Sequence, residues 1–326
     1  MKAQTKRQDY KFKIGVYLSE LHLPFQESLA VSKDIGAQYV WFNRLSGWDE
    51  FPETVVELSD EQVQIIGDTV RQHGLTISLI AAEAPFKHIQ LIDLDYEDIE
   101  YHPIFKKELA DIFRSMEIAS ALGIGAVNVH AFCWPGEYAG KPTWPMRWLS
   151  SGGRICDSLD GVDGPSEMDK LLKAFSLVLD GAEKHNVDVV LSMLPWHYTN
   201  TTNNFRHFAE RLSSKRIKAI WGPADGLTSG EADVATTGFN NIRPYLHSLH
   251  LKDLRVIDGL KLNFEYKPIG EGDTDYQTIL QSMLDNSTDA VLAVAAHFKT
   301  ASGLGADAIK MNCKNIQDII SKLEYD

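Results

Sequence analysis

The regular alternation of two kinds of segment constrains the fold of this chain more than any other sequence feature. Short runs rich in β-branched residues, such as residues 12–18, 126–130 and 290–295, alternate with longer amphipathic stretches. Glycines such as Gly74 and Gly123 follow the amphipathic stretches, as is typical of helix ends. Eight strands alternating with eight helices predict a parallel sheet with right-handed crossovers.

Closure of this sheet into a (β/α)₈ TIM barrel of the α/β class is the simplest arrangement, and the length of 326 residues suits a barrel with an inserted loop. An open, doubly wound sheet is the alternative. No Gly-x-Gly-x-x-Gly motif follows the first strand, so a dinucleotide-binding version of that fold has little support. We expect a single domain over residues 1–326, with a loop insertion at about 132–165 after strand 4.

The inserted loop contains Trp134, Trp144 and Trp148. Because it follows a barrel strand, we expect it to lie over the site that such barrels carry. Indole rings stack on sugars, anchor protein contacts or pack beneath a loop. The sequence therefore leaves a lid, an interface and simple packing open as roles for this loop.

Charge and composition exclude several functional classes. The formal net charge of −13 disfavours nucleic-acid binding, because an acidic chain repels phosphates. Three widely spaced cysteines fit neither a disulfide framework nor a zinc motif, and suggest a reducing compartment. No apolar run of membrane-spanning length occurs, and residues 1–13 have no apolar core typical of a signal peptide. We therefore predict a cytoplasmic protein without membrane contact.

In TIM barrels the active site is formed at the C-terminal ends of the strands. Four of the eleven histidines follow predicted strands here, which is more than chance placement suggests. A single histidine at such a position is as often a hydrogen-bonded rim residue as a functional one, but four at one rim favour a site. The candidates at the strand ends are Trp41, Asn43, Glu83, His130, Met193, Trp196, His197, Gly222, Asp225, His250, Lys252, Asp253, Ala295 and His297.

Several of these residues belong to motifs that resemble those of the xylose isomerase-like sugar isomerases and epimerases. His250-Leu251-Lys252-Asp253 resembles the His-hydrophobic-Lys-Asp element of the seventh strand, and residues 270–273 (Gly-Glu-Gly-Asp) resemble the segment that follows it. Residues 221–225 and 294–297 are similar to the ends of the family's sixth and eighth strands. The motifs occur in the family's order along nearly the whole chain, which implies a xylose isomerase-like barrel.

The resemblance also implies a divalent metal, often Mn²⁺, bound by Glu, Asp, His and Glu on strands five to eight. This sequence has Met193, Gly222, His250 and Ala295 at those positions, so only the histidine remains. Hard divalent ions require oxygen ligands, and we therefore expect no metal cofactor at the family positions. A metal such as Mn or Zn is expected only through a rearranged histidine site, for example from His130, His197, His250 and His297.

The primary functional hypothesis is an isomerase, epimerase or lyase acting on a carbohydrate or polyol derivative by histidine acid–base chemistry. His130 and His250 are the candidates for proton transfer, and Lys252 is the candidate for stabilising developing negative charge. Lys252 paired with Asp253 or Glu271 is the structural alternative. The predicted substrate-binding residues are Trp41, Asn43, Glu83, Trp134, Trp196, His197, Asp225 and His297.

Two other hypotheses belong to different classes. A barrel without the family carboxylates is compatible with a non-catalytic sugar-binding or partner subunit of a related isomerase or lyase, in a heteromer or a homo-oligomer. A family-2 AP endonuclease on the same fold requires a rich cluster of His, Asp and Glu around three zinc ions. The substituted ligands and the acidic net charge disfavour it.

Overall fold

The computed structural model describes residues 10–87, 89–133, 166–259 and 263–325. Its centre is a closed barrel of eight parallel strands, as predicted, and two further strands pair separately as a hairpin. The strands in chain order are β1 Lys13–Tyr17, β2 Tyr39–Phe42, β3 Thr76–Ala81, β4 Ala126–His130, β5 Asp188–Ser192, β6 Ile217–Trp221, β7 Leu246–Leu251, the hairpin strands β8 Asp253–Asp258 and β9 Asn263–Lys267, and β10 Val291–Val294.

Neighbouring barrel strands follow one another in sequence except where β10 closes the barrel between β7 and β1. The closing pairs include Val16 opposite Val294 on one side and Leu251 opposite Val294 on the other. Because all eight strands are parallel, their C-terminal ends meet at one mouth, so that residues distant in sequence become neighbours.

The helices surround the barrel and begin and end at residues that satisfy their terminal backbone groups. Ser59 and Gln62 form a capping box at the second helix, and Ser166 and Asp169 form another at the fourth. Gly123 ends the third helix in the left-handed conformation. The helices are α1 Phe25–Asp34, α2 Asp60–Gln72, α3 Pro103–Leu122, α4 Glu167–His185, α5 Thr202–Leu212, α6 Pro223–Thr228, α7 Phe239–Ile242, α8 Tyr276–Asp285 and α9 Gly305–Ile320.

Three features differ from the sequence-based expectation. The hairpin of β8 and β9 occupies residues that the alternation assigned to a connection. The short helix α6 follows β6 directly. The rest of the connection to β7, where the alternation predicts one regular helix, contains a π-helical turn at Val234–Gly238 continued by α7. Trp134, Trp144, Trp148 and the rest of the loop from residue 134 to 165 lie outside the described residues. Among the helices that are described, none is long and apolar enough to cross a bilayer.

Candidate functional site

A cavity of about 220 Å³ opens at the C-terminal mouth of the barrel. Each of the three predicted catalytic residues, His130, His250 and Lys252, contributes to its wall. Of the predicted binding residues, those that also line it are Trp41, Asn43, Glu83, Trp196, Asp225 and His297. Further lining residues that the sequence did not single out include Tyr17, Glu20, Lys87, Asn128 and Tyr266.

A carboxylate and two imidazoles meet on one side of this cavity. Glu20 lies on a single 3₁₀ turn, Leu18–Leu21, directly after β1. Its Oε1 is 3.3 Å from Nε2 of His297 and 3.8 Å from Nε2 of His250. The two histidine rings are 6.0 Å apart between centroids. Because β7, β10 and β1 are consecutive in the barrel, they deliver these three side chains to one place.

The protonation states in this group follow from burial and from the charges around it. Burial raises the pKa of Glu20, but the hydrogen bond and charge of His297, with smaller contributions from His250 and Lys252, lower it to about 2. Burial and the nearby Lys252 cation lower the pKa of His250 to about 4. At neutral pH this side of the cavity therefore carries an ionised carboxylate beside an uncharged imidazole.

Lys252 forms a buried ion pair with Asp225. The ammonium Nζ is 3.0 Å from Oδ1 of Asp225, and the two side chains are only 5% and 4% exposed. The sequence suggested Asp253 or Glu271 as the ion-pair partner of Lys252, but the partner is Asp225. Burial alone lowers the pKa of Lys252, but the Asp225 carboxylate reverses the direction and raises it. The Asp225 carboxylate therefore favours the protonated form of Lys252 at the cavity wall.

His130 and His197 form a second histidine pair, on the other strands of the mouth. Their ring centroids are 5.4 Å apart in an edge-to-face arrangement. His197 is fully buried, and its Nδ1 lies 3.2 Å from the carbonyl oxygen of Ser192. His130 faces the cavity, whereas His197 packs behind it. A direct contact of His197 with a substrate stays a prediction.

Aromatic and amide groups form a rigid wall beside these charged groups. The rings of Tyr17 and Trp41 stack with centroids 3.7 Å apart. Asn43 accepts hydrogen bonds from the hydroxyls of Tyr17 and Ser19, at 2.9 and 3.1 Å, and donates to the backbone carbonyl of Glu83 at 2.8 Å. The Glu83 carboxylate is itself paired with Arg44. These contacts fix the side chains before any ligand arrives.

The hairpin contributes Tyr266 to the cavity. Its ring meets that of His297 edge to face at 4.9 Å between centroids. Burial, partly opposed by the Lys252 cation, raises the pKa of the Tyr266 hydroxyl to about 12. The hydroxyl is therefore a neutral hydrogen-bond donor at physiological pH.

A family model described as xylose isomerase-like TIM barrel matches residues 29–311, which is most of the chain. The chain belongs to the xylose isomerase-like TIM barrel family. No curated protein matches it in sequence.

Several solved structures share the fold of this xylose isomerase-like barrel. A xylose isomerase domain protein from Planctomyces limnophilus superposes with a TM-score of 0.66 at 12% identity, covering 97% of this chain and 99% of that one. 3-Keto-D-glucoside 4-epimerase from E. coli superposes with a TM-score of 0.64 at 14% identity, covering 95% of this chain and 100% of that one. A xylose isomerase-like TIM barrel protein from Mycobacterium smegmatis in complex with magnesium superposes with a TM-score of 0.64 at 15% identity, covering 97% of this chain and 98% of that one.

The residues at the family's four predicted metal positions do not fit the family's oxygen-rich site. Met193 lines the cavity with a thioether, and Ala295 is fully buried and offers no side-chain donor. At Gly222, an added Cβ would collide with the carboxylate of Asp225, so that carboxylate fills the space of the missing side chain. This carboxylate is paired with Lys252. Of the four positions implied by the family, only His250 therefore offers a metal-ligand atom.

The two motifs that carried the family resemblance form one structural unit. The Asp253 carboxylate accepts backbone N–H groups from Gly270 at 3.0 Å, Gly272 at 3.1 Å and Thr274 at 3.2 Å. Tyr276 donates its hydroxyl hydrogen bond to the carbonyl of Lys252 at 2.5 Å. The Gly-Glu-Gly turn therefore holds the backbone of the seventh strand end, and with it Lys252, in place.

Sequence reasoning missed Glu20, Lys87 and Tyr266. Tyr266 had a usable signal, because Asn263–Lys267 alternates polar and aromatic residues as an exposed strand does. Glu20 had no comparable local pattern, since its partner His297 is 277 residues away in sequence. Lys87 lies in the turn after β3, and burial lowers its pKa.

Proposed function

We propose that this protein is an enzyme that transfers a proton next to the carbonyl group of a small carbohydrate or polyol derivative, in an isomerase, epimerase or lyase reaction. The observation that carries the proposal is the composition of the cavity. An uncharged imidazole, an ionised carboxylate and a buried ammonium line the same 220 Å³ space together with His130. Proton abstraction from carbon requires a base and a group that stabilises an oxyanion, and both kinds are present.

Each residue has a defined role in this reaction. His130 or His250 takes the proton from the carbon beside the carbonyl, and the electrons of the C–H bond form the C=C bond of an enediolate. The carbonyl π electrons move to oxygen, where the Lys252 ammonium stabilises the negative charge. Return of the proton to the former carbonyl carbon, with the adjacent hydroxyl proton passing to the enediolate oxygen beside Lys252, gives isomerisation. Return of a proton to the opposite face of the original carbon re-forms the carbonyl and gives epimerisation. Departure of a β-hydroxyl as water, with a proton from the imidazolium formed in the first step, re-forms the carbonyl and gives elimination.

The names of structural neighbours support the substrate class. They include 3-keto-D-glucoside 4-epimerase, L-ribulose 3-epimerase and a probable 3-DHS dehydratase from Bacillus anthracis. Their identities of 14%, 13% and 16% to this chain establish the fold alone. The aromatic wall of Trp41 and Tyr17 adds support from this chain itself, because such rings stack on sugar faces.

Solvent deuterium incorporation tests the proposal whatever the product of the reaction is. Ketopentoses, ketohexoses and 3-keto-glucosides are incubated with the enzyme in D₂O, with and without EDTA, and the proton next to each carbonyl is followed by NMR. We expect exchange at one carbon of at least one sugar. Absence of exchange with every sugar in both conditions would contradict the enzymatic function.

A pair of histidine variants connects the exchange to the cavity. His130→Gln should reduce the exchange rate by about 100-fold or more, the usual size of a general acid–base contribution. His185→Gln, at the end of α4 and away from the mouth, is the matched control and should exchange at the wild-type rate. Equal rates for the two variants would remove His130 from the mechanism.

A non-catalytic binding or partner subunit is the second candidate, and one observation favours it. Three of the four positions where the family resemblance implies metal ligands carry no side-chain oxygen in this chain, namely Met193, Gly222 and Ala295. Thermal stabilisation by a sugar without any exchange, or co-purification with an active homologous subunit, would support this candidate over the first.

A further inference from the structure

Glu20, His250 and His297 present three metal-ligand atoms to one point of the cavity. One oxygen and two ring nitrogens all lie within 4.8 Å of one another. Two of the separations are 3.3 and 3.8 Å. Ligands bound at about 2.0–2.2 Å to a common ion are about 3.0–3.5 Å apart in tetrahedral or octahedral geometry, so a small adjustment brings all three to bonding distance. Within the described part of the chain, no other group of three such residues is this close.

A second, independent observation concerns His250. Its Nε2 is buried and makes no hydrogen bond to any described residue, since the Glu20 oxygen at 3.8 Å is too distant. A buried ring nitrogen without a partner is costly unless something binds it. It faces the same cavity as the Glu20 carboxylate, so a cation there would satisfy both groups at once.

The surrounding charges permit a cation. The Lys252 ammonium would repel a metal ion, but the Asp225 carboxylate at 3.0 Å neutralises it. The Glu20 carboxylate is therefore the anion at the three ligand atoms, and Lys87 is a further cation in the cavity wall. Burial of this pair keeps both partners in place, because separating them would leave an uncompensated charge in the interior.

We propose that Glu20, His250 and His297 form a three-ligand site for one divalent transition-metal ion of the Zn²⁺ class. Two imidazoles and one carboxylate with further positions open to a cavity are typical of catalytic zinc and of non-haem iron, and unlike the oxygen-rich sets that hold Mg²⁺. The site shares only His250 with the positions implied by the family. Its carboxylate comes from the 3₁₀ turn that follows β1, the strand that pairs with β10.

The site also accounts for the division of the four histidines. His250 and His297 converge with Glu20, whereas His130 pairs with His197 elsewhere at the mouth. A bound ion would occupy the first pair and leave His130 available for proton transfer. The metal site therefore does not depend on the proposed reaction, and each is tested without the other.

Metal binding is measured directly on the chelator-stripped full-length protein. Isothermal titration with Zn²⁺ should give one equivalent per chain at micromolar affinity or tighter. Glu20→Gln and His297→Gln should each weaken binding by at least about 100-fold, because even loss of a residue that only supports a ligand costs 10–100-fold. His130→Gln is the matched control within the same cavity and should bind as the wild type does.

Two further readouts keep the test decisive if a variant folds poorly. Circular dichroism establishes that each variant is folded, and zinc-edge X-ray absorption of the wild type should give nitrogen and oxygen neighbours with two imidazoles. Failure of the stripped wild type to bind Zn²⁺, unchanged affinity in both Glu20→Gln and His297→Gln, loss of binding in His130→Gln, or a sulfur ligand would each overturn the proposal.

Discussion

At the scale of single residues, the ion pair between Lys252 and Asp225 combines a structural and a functional role. Both side chains are almost fully buried, and the pair lies at the wall of the cavity. Burial of two charges is tolerated only because each compensates the other. The same pairing that keeps Lys252 protonated therefore makes the fold sensitive to the loss of Asp225.

We expect Asp225→Asn to lower the free energy of unfolding by about 3–5 kcal/mol, because it leaves the Lys252 ammonium buried without its counter-charge. Lys252→Met should cost a similar amount. The double variant should lose clearly less than the sum of the two, which denaturant unfolding of all four proteins measures. The exposed pair Lys107–Asp111 is the control, and Asp111→Asn should change stability by less than about 1 kcal/mol. Additive losses at 225 and 252 would contradict the coupling.

Sequence patterns predict the position of some cavity residues but not of others, and the reason is physical. His130, His250 and Lys252 follow predicted strands, and every strand end of a parallel barrel points to the same mouth, so their place in the cavity was predictable. The ion-pair partner of Lys252 was not predictable, because Asp225 reaches it from the first turn of α6, a helix that the sequence did not predict. Glu20 depends on a contact between the two ends of the chain that no local pattern encodes.

At the scale of secondary-structure elements, the Gly-Glu-Gly turn and the end of β7 stabilise each other. Asp253 accepts the turn's N–H groups, and Gly272 lies against its carboxylate so closely that a Cβ would collide with it and with the carbonyl of Leu254. Glycine is required here by the close approach of two backbone segments. The turn therefore depends on the absence of a side chain as much as on the presence of Asp253.

Gly272→Ala should destabilise the protein by about 1–3 kcal/mol, the usual cost of forcing extra atoms into a packed site. Gly125→Ala is the matched control, because a Cβ at Gly125 meets no atom within 4 Å, and its effect should stay within about 1 kcal/mol. Thermal or urea unfolding compares the two variants. A Gly272→Ala protein as stable as the control would show that the turn relaxes freely.

The hairpin β8–β9 is one of the elements that sequence patterns did not predict. Its residues Arg255, Val256 and Ile257 are exposed, whereas barrel strands such as β4 and β10 are buried along their whole length. Strand prediction relies mainly on burial patterns, so an exposed two-stranded ribbon gives a weak signal. The eight barrel strands were predictable because buried parallel strands are apolar throughout.

At the scale of the whole molecule, closure of the barrel also buries titratable groups outside the site. His247 lies on β7, and burial together with the Lys218 cation lowers its pKa to about 4. In the unfolded chain the ordinary value is about 6.5. Between these two pH values the unfolded state therefore binds more protons than the folded state. The contribution of uncharged His247 to the free energy of unfolding is complete above pH 6.5, and it is lost as the pH falls towards 4.

His247→Gln should remove this contribution, which is on the order of 2–3 kcal/mol for a shift of this size. The unfolding free energy of the variant should therefore decline less than that of the wild type between pH 7 and pH 4.5. Urea unfolding at several pH values measures both slopes. Parallel declines would indicate that His247 is protonated in the folded state as easily as in the unfolded one.

The position of Asp225 against Gly222 limits which substitutions this site can accept. A carboxylate cannot be placed at residue 222 while Asp225 occupies the same space, and loss of Asp225 would leave the buried Lys252 ammonium without its counter-charge. An acidic residue at 222 therefore has to be combined with changes at 225 and 252. A single substitution within this group is thus expected to break the ion pair before it adds an oxygen ligand.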